Sequence, residues 1–87
     1  MFNLIILDAA DHDLESLDKP VAKRIGSRIK WLAENIEHIK PEPLTGEWVR
    51  FFKLRVGDYR VIYKIFHDEQ MIVIHRVRHR REVYKEK

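Results

Sequence analysis

The sequence predicts an α+β fold. It reads as an N-terminal strand, two helices, then an antiparallel β-meander with the helices packed on one sheet face and a short helical segment at the C-terminus. Three observations carry this. Apolar residues recur at helical spacing between Val21 and Ile39. From Trp48 onward the apolar period falls to two. Short polar breaks at Gly57-Asp58 and His67 to Gln70 then cut the second half into strand-length pieces.

Phe2 to Leu7 is apolar and rich in β-formers, which predicts the first strand. Asp8 to Asp18 is acidic with Leu14 and Leu17 three apart, which fits a short amphipathic helix. Pro20 suits the first turn of a second helix, where its missing N–H has no intrahelical partner to lose. Val21, Ile25, Ile29, Leu32, Ile36 and Ile39 draw one stripe along that helix. Gly26 lies inside it and predicts a close contact with a neighbour. Pro41 and Pro43 end the helix, and Leu44 to Gly46 is a loop. In the next strand Trp48, Phe52, Leu54 and Val56 share one parity, and Phe51, Lys53 and Arg55 the other. After Gly57-Asp58, Val61, Tyr63 and Ile65 oppose Arg60, Ile62 and Lys64. In the last strand, strict alternation sets Met71, Val73 and Val77 against Ile72, Ile74, Arg76 and Arg78. The expected sheet has an apolar face for the helix stripe and an open face gathering Lys53, Arg55, Arg60, Lys64, Arg76 and Arg78. Residues 1–87 form a single domain, without repeats or linkers.

Composition narrows the function. With 45% hydrophobic residues the chain can build a core. It has no cysteine, which excludes disulfides and thiolate metal sites and agrees with a reducing cytoplasm. The longest apolar run near the start, Leu4 to Leu7, is too short for a secretory signal, and no stretch reaches the ~20 apolar residues of a membrane span. A cytoplasmic protein without membrane contact is expected. The net charge of +3 is unevenly spread. Residues 1–46 hold six Lys/Arg against eight Asp/Glu, and residues 47–87 hold eleven against six. The second half is the polyanion-facing half.

Several chemistries find no support. The five histidines make no HExxH pair, and His75 and His79 sit four apart in a strand, where that spacing does not converge on a metal. Gly26, Gly46 and Gly57 are scattered and make no phosphate loop. No metal or cofactor is expected. What remains is the basic cluster, densest in RVRHRREVYK at residues 76–85. Cleaving RNA without a metal requires a base for the ribose 2′-hydroxyl, charge compensation on the pentacoordinate phosphate, and an acid for the leaving 5′-oxygen. Arginine suits the second task because its guanidinium pairs two phosphate oxygens and stays charged. Tyrosine, histidine or lysine can perform the others. Lys53, Arg60, His79, Arg80 and Tyr84 supply those groups.

Two motifs, KLRVGDYRVIY and HRREVY, in this order and at this chain length, resemble the RelE toxins of the RelE/ParE superfamily. The likeness covers roughly residues 2–85. It implies a toxin of a type II toxin–antitoxin system that enters the ribosomal A site and cuts messenger RNA there by metal-independent 2′-hydroxyl attack, leaving a 2′,3′-cyclic phosphate and a 5′-hydroxyl. By resemblance, Arg60 stabilises the scissile phosphate, Arg80 is the second catalytic arginine, Tyr84 stacks on the substrate base and assists proton transfer, and Lys53 belongs to a basic pair acting on the 2′-hydroxyl. Phe51 stands where some relatives carry a second lysine, and the spacing from the last arginine to the tyrosine is shorter than in some. The general base therefore stays open among Lys53, His79 and Tyr84. Arg55, Lys64, Arg76, Arg78, Arg81 and Lys85 are expected to hold RNA phosphates. The resemblance also implies a RelB-like antitoxin as partner, ribosomal RNA and message as targets, and operator DNA as a target of the antitoxin complex. Two alternatives remain: a ParE-like gyrase inhibitor, which shares the fold, and a non-catalytic basic RNA-binding domain.

Overall fold

The computed structural model describes residues 2–85, with the side chains of Glu47, Tyr84 and Lys85 outside the description. In chain order it contains strand β1 (Asn3–Ile6), helix α1 (Asp8–Glu15), helix α2 (Lys19–Asn35), a 3-10 turn (Ile36–His38), strand β2 (Glu42–Pro43), a second 3-10 turn (Gly46–Trp48), strands β3 (Phe52–Val56), β4 (Tyr59–Phe66) and β5 (Met71–His79), and helix α3 (Arg80–Lys85). The strands form one sheet in the order β1-β5-β4-β3-β2. β1 joins β5 in parallel, and the remaining pairs are antiparallel. The α+β architecture with helices on one sheet face and a short C-terminal helix is thus observed.

The helix stripe does what its spacing demands. Ile25, Ile29, Leu32, Ala33 and Ile36 are buried against Leu54, Val56, Val61, Tyr63, Ile72, Ile74 and Val77, with Ala10 of α1 closing the layer. Val21 and Ile39 flank this core partly exposed. Pro20 sits in the first turn of α2 as expected. α1 ends three residues early, at Glu15, where the Ser16 hydroxyl donates to the Asp13 carbonyl and competes with continued helix.

Four details depart from the expected pattern. First, β5 carries a bulge: Tyr63 pairs with Ile74 but Ile62 with Arg76, so one extra residue is absorbed. Ile72, Ile74 and Val77 therefore all face the helices, and Met71 and Val73 do not share a face with Val77. Second, Arg76, next to the unpaired His75 of the bulge, leaves the open face for α1. Its Nε and Nη2 donate to the two carboxylate oxygens of Asp13 at 2.8 and 3.0 Å, and Asp13 also accepts the Val77 N–H at 2.9 Å. This clamp stands where β1 has ended and β5 would otherwise expose an edge N–H. Third, Trp48 does not join the helix-side core. It packs with Phe51 around buried Leu44, Ile62 and Val83 in a second, smaller cluster on the opposite sheet face. That face is accordingly half covered. Fourth, Gly26 makes no close contact, since a Cβ there would meet nothing within 4 Å. The two-residue strand β2 adds to the expected meander; a strand that short, containing proline, leaves no periodic signal in the sequence.

Candidate RNA-facing site on the open sheet face

Strand register builds the site. Arg55 pairs with Arg60 across β3 and β4, and Arg60 pairs with Arg78 across β4 and β5. Directly paired residues share a face, and neighbouring strands lie ~4.8 Å apart. Three guanidinium groups thus stand in one row across the open face. Like charges directly opposite repel, so such a row needs compensation. The outer members have it. Arg55 Nη2 lies 2.7 Å from Glu42 Oε2, and Arg78 Nε lies 3.2 Å from Glu82 Oε1. The central one is set deeper. Arg60 is only 6% exposed, and its Nη1 donates to the carbonyls of Gly57 and Tyr59 at 3.0 and 2.9 Å. Those bonds fix the orientation of the guanidinium.

Both candidate catalytic arginines hang on one turn. Gly57 takes the left-handed conformation at φ +60° and closes the β3–β4 hairpin, which leaves its carbonyl facing Arg60. The next residue, Asp58, accepts the Arg80 N–H on its carbonyl at 2.8 Å, and its carboxylate lies 3.9 Å from Arg80 Nε. Arg80 opens α3, and its side chain is more than half exposed. Lys53 lies on the same open face of β3, paired with Ile62 and Glu42.

His79 is brought elsewhere. It pairs with Tyr59, and the two rings meet edge to face at 5.4 Å. Tyr59 packs on the helix-side core, so His79 lies on the sheet face opposite Arg60 and Arg78. It also caps α3: its N–H donates to Glu82 Oε1 and its Nδ1 accepts the Arg81 N–H, each at 3.2 Å. With Nδ1 accepting, Nε2 is the ring nitrogen that carries a proton. Hydrogen bonds from Arg78 and the His79 N–H hold the Glu82 carboxyl below the usual carboxylate range. Lys64 stays on the open face, with its Nζ 4.7 Å from the centre of the Phe51 ring. Arg81 is exposed, and Arg76 is committed to Asp13. Tyr84 and Lys85 lie on α3, with side chains outside the described atoms. Tyr63 is sealed in the core, where burial and the Glu42 charge push its phenol up to about 12, so it takes no part in proton transfer near neutrality.

Sequence reasoning passed over Asp13 and the Gly57-Asp58 pair as supports of the site. GDYR did carry a signal for the turn, because a Gly-Asp break between alternating strands marks a tight hairpin. The Asp13–Arg76 clamp joins residues 63 positions apart and has no local signature.

Residues 4–84 match the protein family described as the ParE toxin of type II toxin–antitoxin systems, parDE. The chain belongs to this family. It is a toxin of the RelE/ParE superfamily. Among solved structures, the toxin–antitoxin complex RelBE2 from Mycobacterium tuberculosis contains a chain similar over 90% of both molecules, with 25% identity and a TM-score of 0.79. The isolated RelE toxin of E. coli aligns over 98% of this chain and 93% of its own, at 19% identity and a TM-score of 0.74. A YoeB/ParE toxin from Agrobacterium tumefaciens aligns over 90% and 98%, at 20% identity and a TM-score of 0.71. The last two likenesses concern the fold. A sequence comparison with curated proteins finds no match.

Proposed function

We propose that this toxin is a ribosome-dependent mRNA interferase, acting in the cytoplasm and held inactive by a RelB-like antitoxin. The observation that carries the reading is the row Arg55–Arg60–Arg78, with its central guanidinium buried and oriented by the Gly57 and Tyr59 carbonyls. A phosphodiester oxygen pair fits such a group, and its charge relieves the repulsion between the three cations. Arg60 then stabilises the pentacoordinate phosphorus, and Arg80, exposed at the start of α3, reaches the same phosphate from the other side of the Gly57-Asp58 turn. The 2′-hydroxyl gives its proton to a base and attacks phosphorus. The P–O5′ bond breaks, and the 5′-oxygen takes a proton, giving a 2′,3′-cyclic phosphate and a 5′-hydroxyl. Lys53 shares the face of Arg60, whereas His79 lies on the opposite one, which favours Lys53 or Tyr84 over His79 for that proton.

The antitoxin expectation draws on relatives solved as toxin–antitoxin complexes, among them the archaeal RelE–RelB complex from Pyrococcus horikoshii. Arg55, Arg78, Arg81, Lys64 and Lys85 are assigned to RNA phosphates, and the antitoxin complex to operator DNA. A second reading, inhibition of DNA gyrase, is favoured by the family match to ParE toxins. Cell-free translation followed by primer extension separates the two. Cuts confined to A-site codons support the interferase. Intact message with blocked DNA supercoiling overturns it in favour of the gyrase inhibitor.

A further inference from the structure

Beyond the arginine row, the open face carries an aromatic group that the cleavage chemistry does not use. Phe51 lies at its centre. The Trp48 ring meets it edge to face at 5.2 Å, and the His75 ring at 4.8 Å. Lys64 Nζ stands over the Phe51 ring at 4.7 Å. All four side chains are half-buried, seated on buried Leu44, Ile62 and Val83 but open on their outer side. A group selected for packing alone would be apolar, and this one is not. A buried indole ordinarily finds an acceptor, yet Trp48 Nε1 has none among the described residues. A histidine and a lysine complete the set. Burial and the Lys64 charge hold His75 below the usual imidazole range, so the ring is neutral near pH 7 and presents an uncharged π-face.

Position gives the group its meaning. Ile62 and Lys64 follow Arg60 on the same face of β4, at about 7 and 13 Å along the strand. That is a reach of about one to two nucleotides from a phosphate held at Arg60. Aromatic rings beside cations on an open sheet face are the general means of holding single-stranded RNA, because every base has a face to stack and every linkage a charge to neutralise. We propose that Trp48, Phe51 and His75 form a stacking platform for a nucleobase flanking the cleaved phosphate, with Lys64 as its movable cover. Without RNA, the ammonium rests on the Phe51 ring. When a base takes that place, Lys64 swings to the adjoining phosphate. The platform prefers an unpaired base and reads little of its identity, since stacking is sequence-tolerant.

This inference rests on the RNA-cleaving reading, and its test is independent of cleavage. The probe is a short 2′-O-methyl RNA, which has no nucleophile and stays intact. A second oligomer has the same phosphates but abasic sites beside the central linkage. In a Trp31→Phe background Trp48 is the sole tryptophan, and its fluorescence reports binding at the platform. The expected result is about tenfold tighter binding of the base-containing strand. Phe51→Leu with His75→Leu brings that ratio to about one and leaves abasic affinity unchanged. His75→Leu alone, at a half-exposed position, lowers it in part without disturbing the fold. Arg60→Ala weakens both oligomers equally and keeps the ratio. A ratio of one in the folded parent protein, or a ratio that survives both platform variants, overturns the proposal. So does a patch that binds only an antitoxin peptide, lost in Phe51→Leu, with no preference for bases. If the ratio holds while message stays uncut in translation, the platform stands and the interferase reading falls. Cut message with a ratio of one gives the reverse.

Discussion

Asp13 is the residue on which the edge of the site depends. Burial pushes its carboxyl up, but the hydrogen bonds from Arg76 and the Val77 N–H, with the charges of Arg76 and Arg78, outweigh that and hold it below its ordinary 3.8. A folded-state pKa lower than the unfolded one means stabilisation that is complete above the unfolded value and lost as pH falls through the folded one. Asp13→Asn is therefore expected to cost about 2 kcal/mol at pH 7, because it keeps the shape but leaves Arg76 without its bidentate partner. Urea melts of both proteins check this, and the gap between them should narrow steadily below about pH 4 as the parent carboxylate itself protonates. Arg60 calls for a different measurement. Arg60→Ala and Arg80→Ala are each expected to relieve growth arrest on expression while the circular dichroism spectrum stays native. If both remain fully toxic, the two arginines are not the chemistry. Arg60→Lys should also be inactive, since an ammonium cannot reproduce the fork that reaches two backbone carbonyls and a phosphate together.

At the level of elements, two glycines of similar appearance in the sequence behave oppositely. Gly26 lies in α2 with a helical backbone and open space around it, so Gly26→Ala should stabilise the protein by about 1 kcal/mol, read as a higher urea midpoint at constant slope. Gly57 sits at φ +60°, and a Cβ there would meet Arg24 Nη2 at 3.1 Å. Gly57→Ala should destabilise by about 1 kcal/mol and, through the Gly57 carbonyl and Asp58, loosen Arg60 and Arg80 together. Only the second role is legible beforehand, because a Gly-Asp pair between alternating segments specifies a turn, whereas glycine inside a helical stripe specifies nothing by itself. The same contrast runs through the strands. β3 and β4 keep strict alternation, so Lys53, Arg55, Arg60 and Lys64 were placed correctly on one face from parity. β5 breaks it at the bulge, and Arg76 looks like any other cation of that strand until its partner 63 positions away is known. Trp48 was misplaced for a related reason: the strand starts four residues later than the apolar pattern does, and a 3-10 turn intervenes.

For the whole molecule, charge is arranged by layer. α1 is acidic, α2 carries Lys19, Lys23, Arg24, Arg28 and Lys30 with Glu34 as its acidic residue, and the open sheet face holds the arginine row. Binding to single-stranded RNA should be correspondingly salt-sensitive. If about four phosphates are neutralised by Lys53, Arg55, Arg60 and Arg78, log K falls against log salt with a slope near −3, and Arg55→Ala should reduce that slope by about 0.7. A slope near zero would remove the polyanion from the account. The sheet also has unequal edges. β2 is two residues long, with Pro43 and the Glu42–Arg55 ion pair, whereas β1 is apolar and leaves Ile5 and Ile6 each 41% exposed. Between these edges, the bulge of β5 has a genetic meaning. A strand of even period tolerates exchange of one side chain for another, but not a change in their number. The bulge makes Arg76 the exception: losing its single codon would restore perfect alternation with Val77 still on the helix side and Arg78 still on the open face, at the cost of the Asp13 clamp. An in-frame deletion of the Arg76 codon should therefore lower stability and only grade toxicity, while deletion of one codon in β4, which has no spare residue, should abolish it outright.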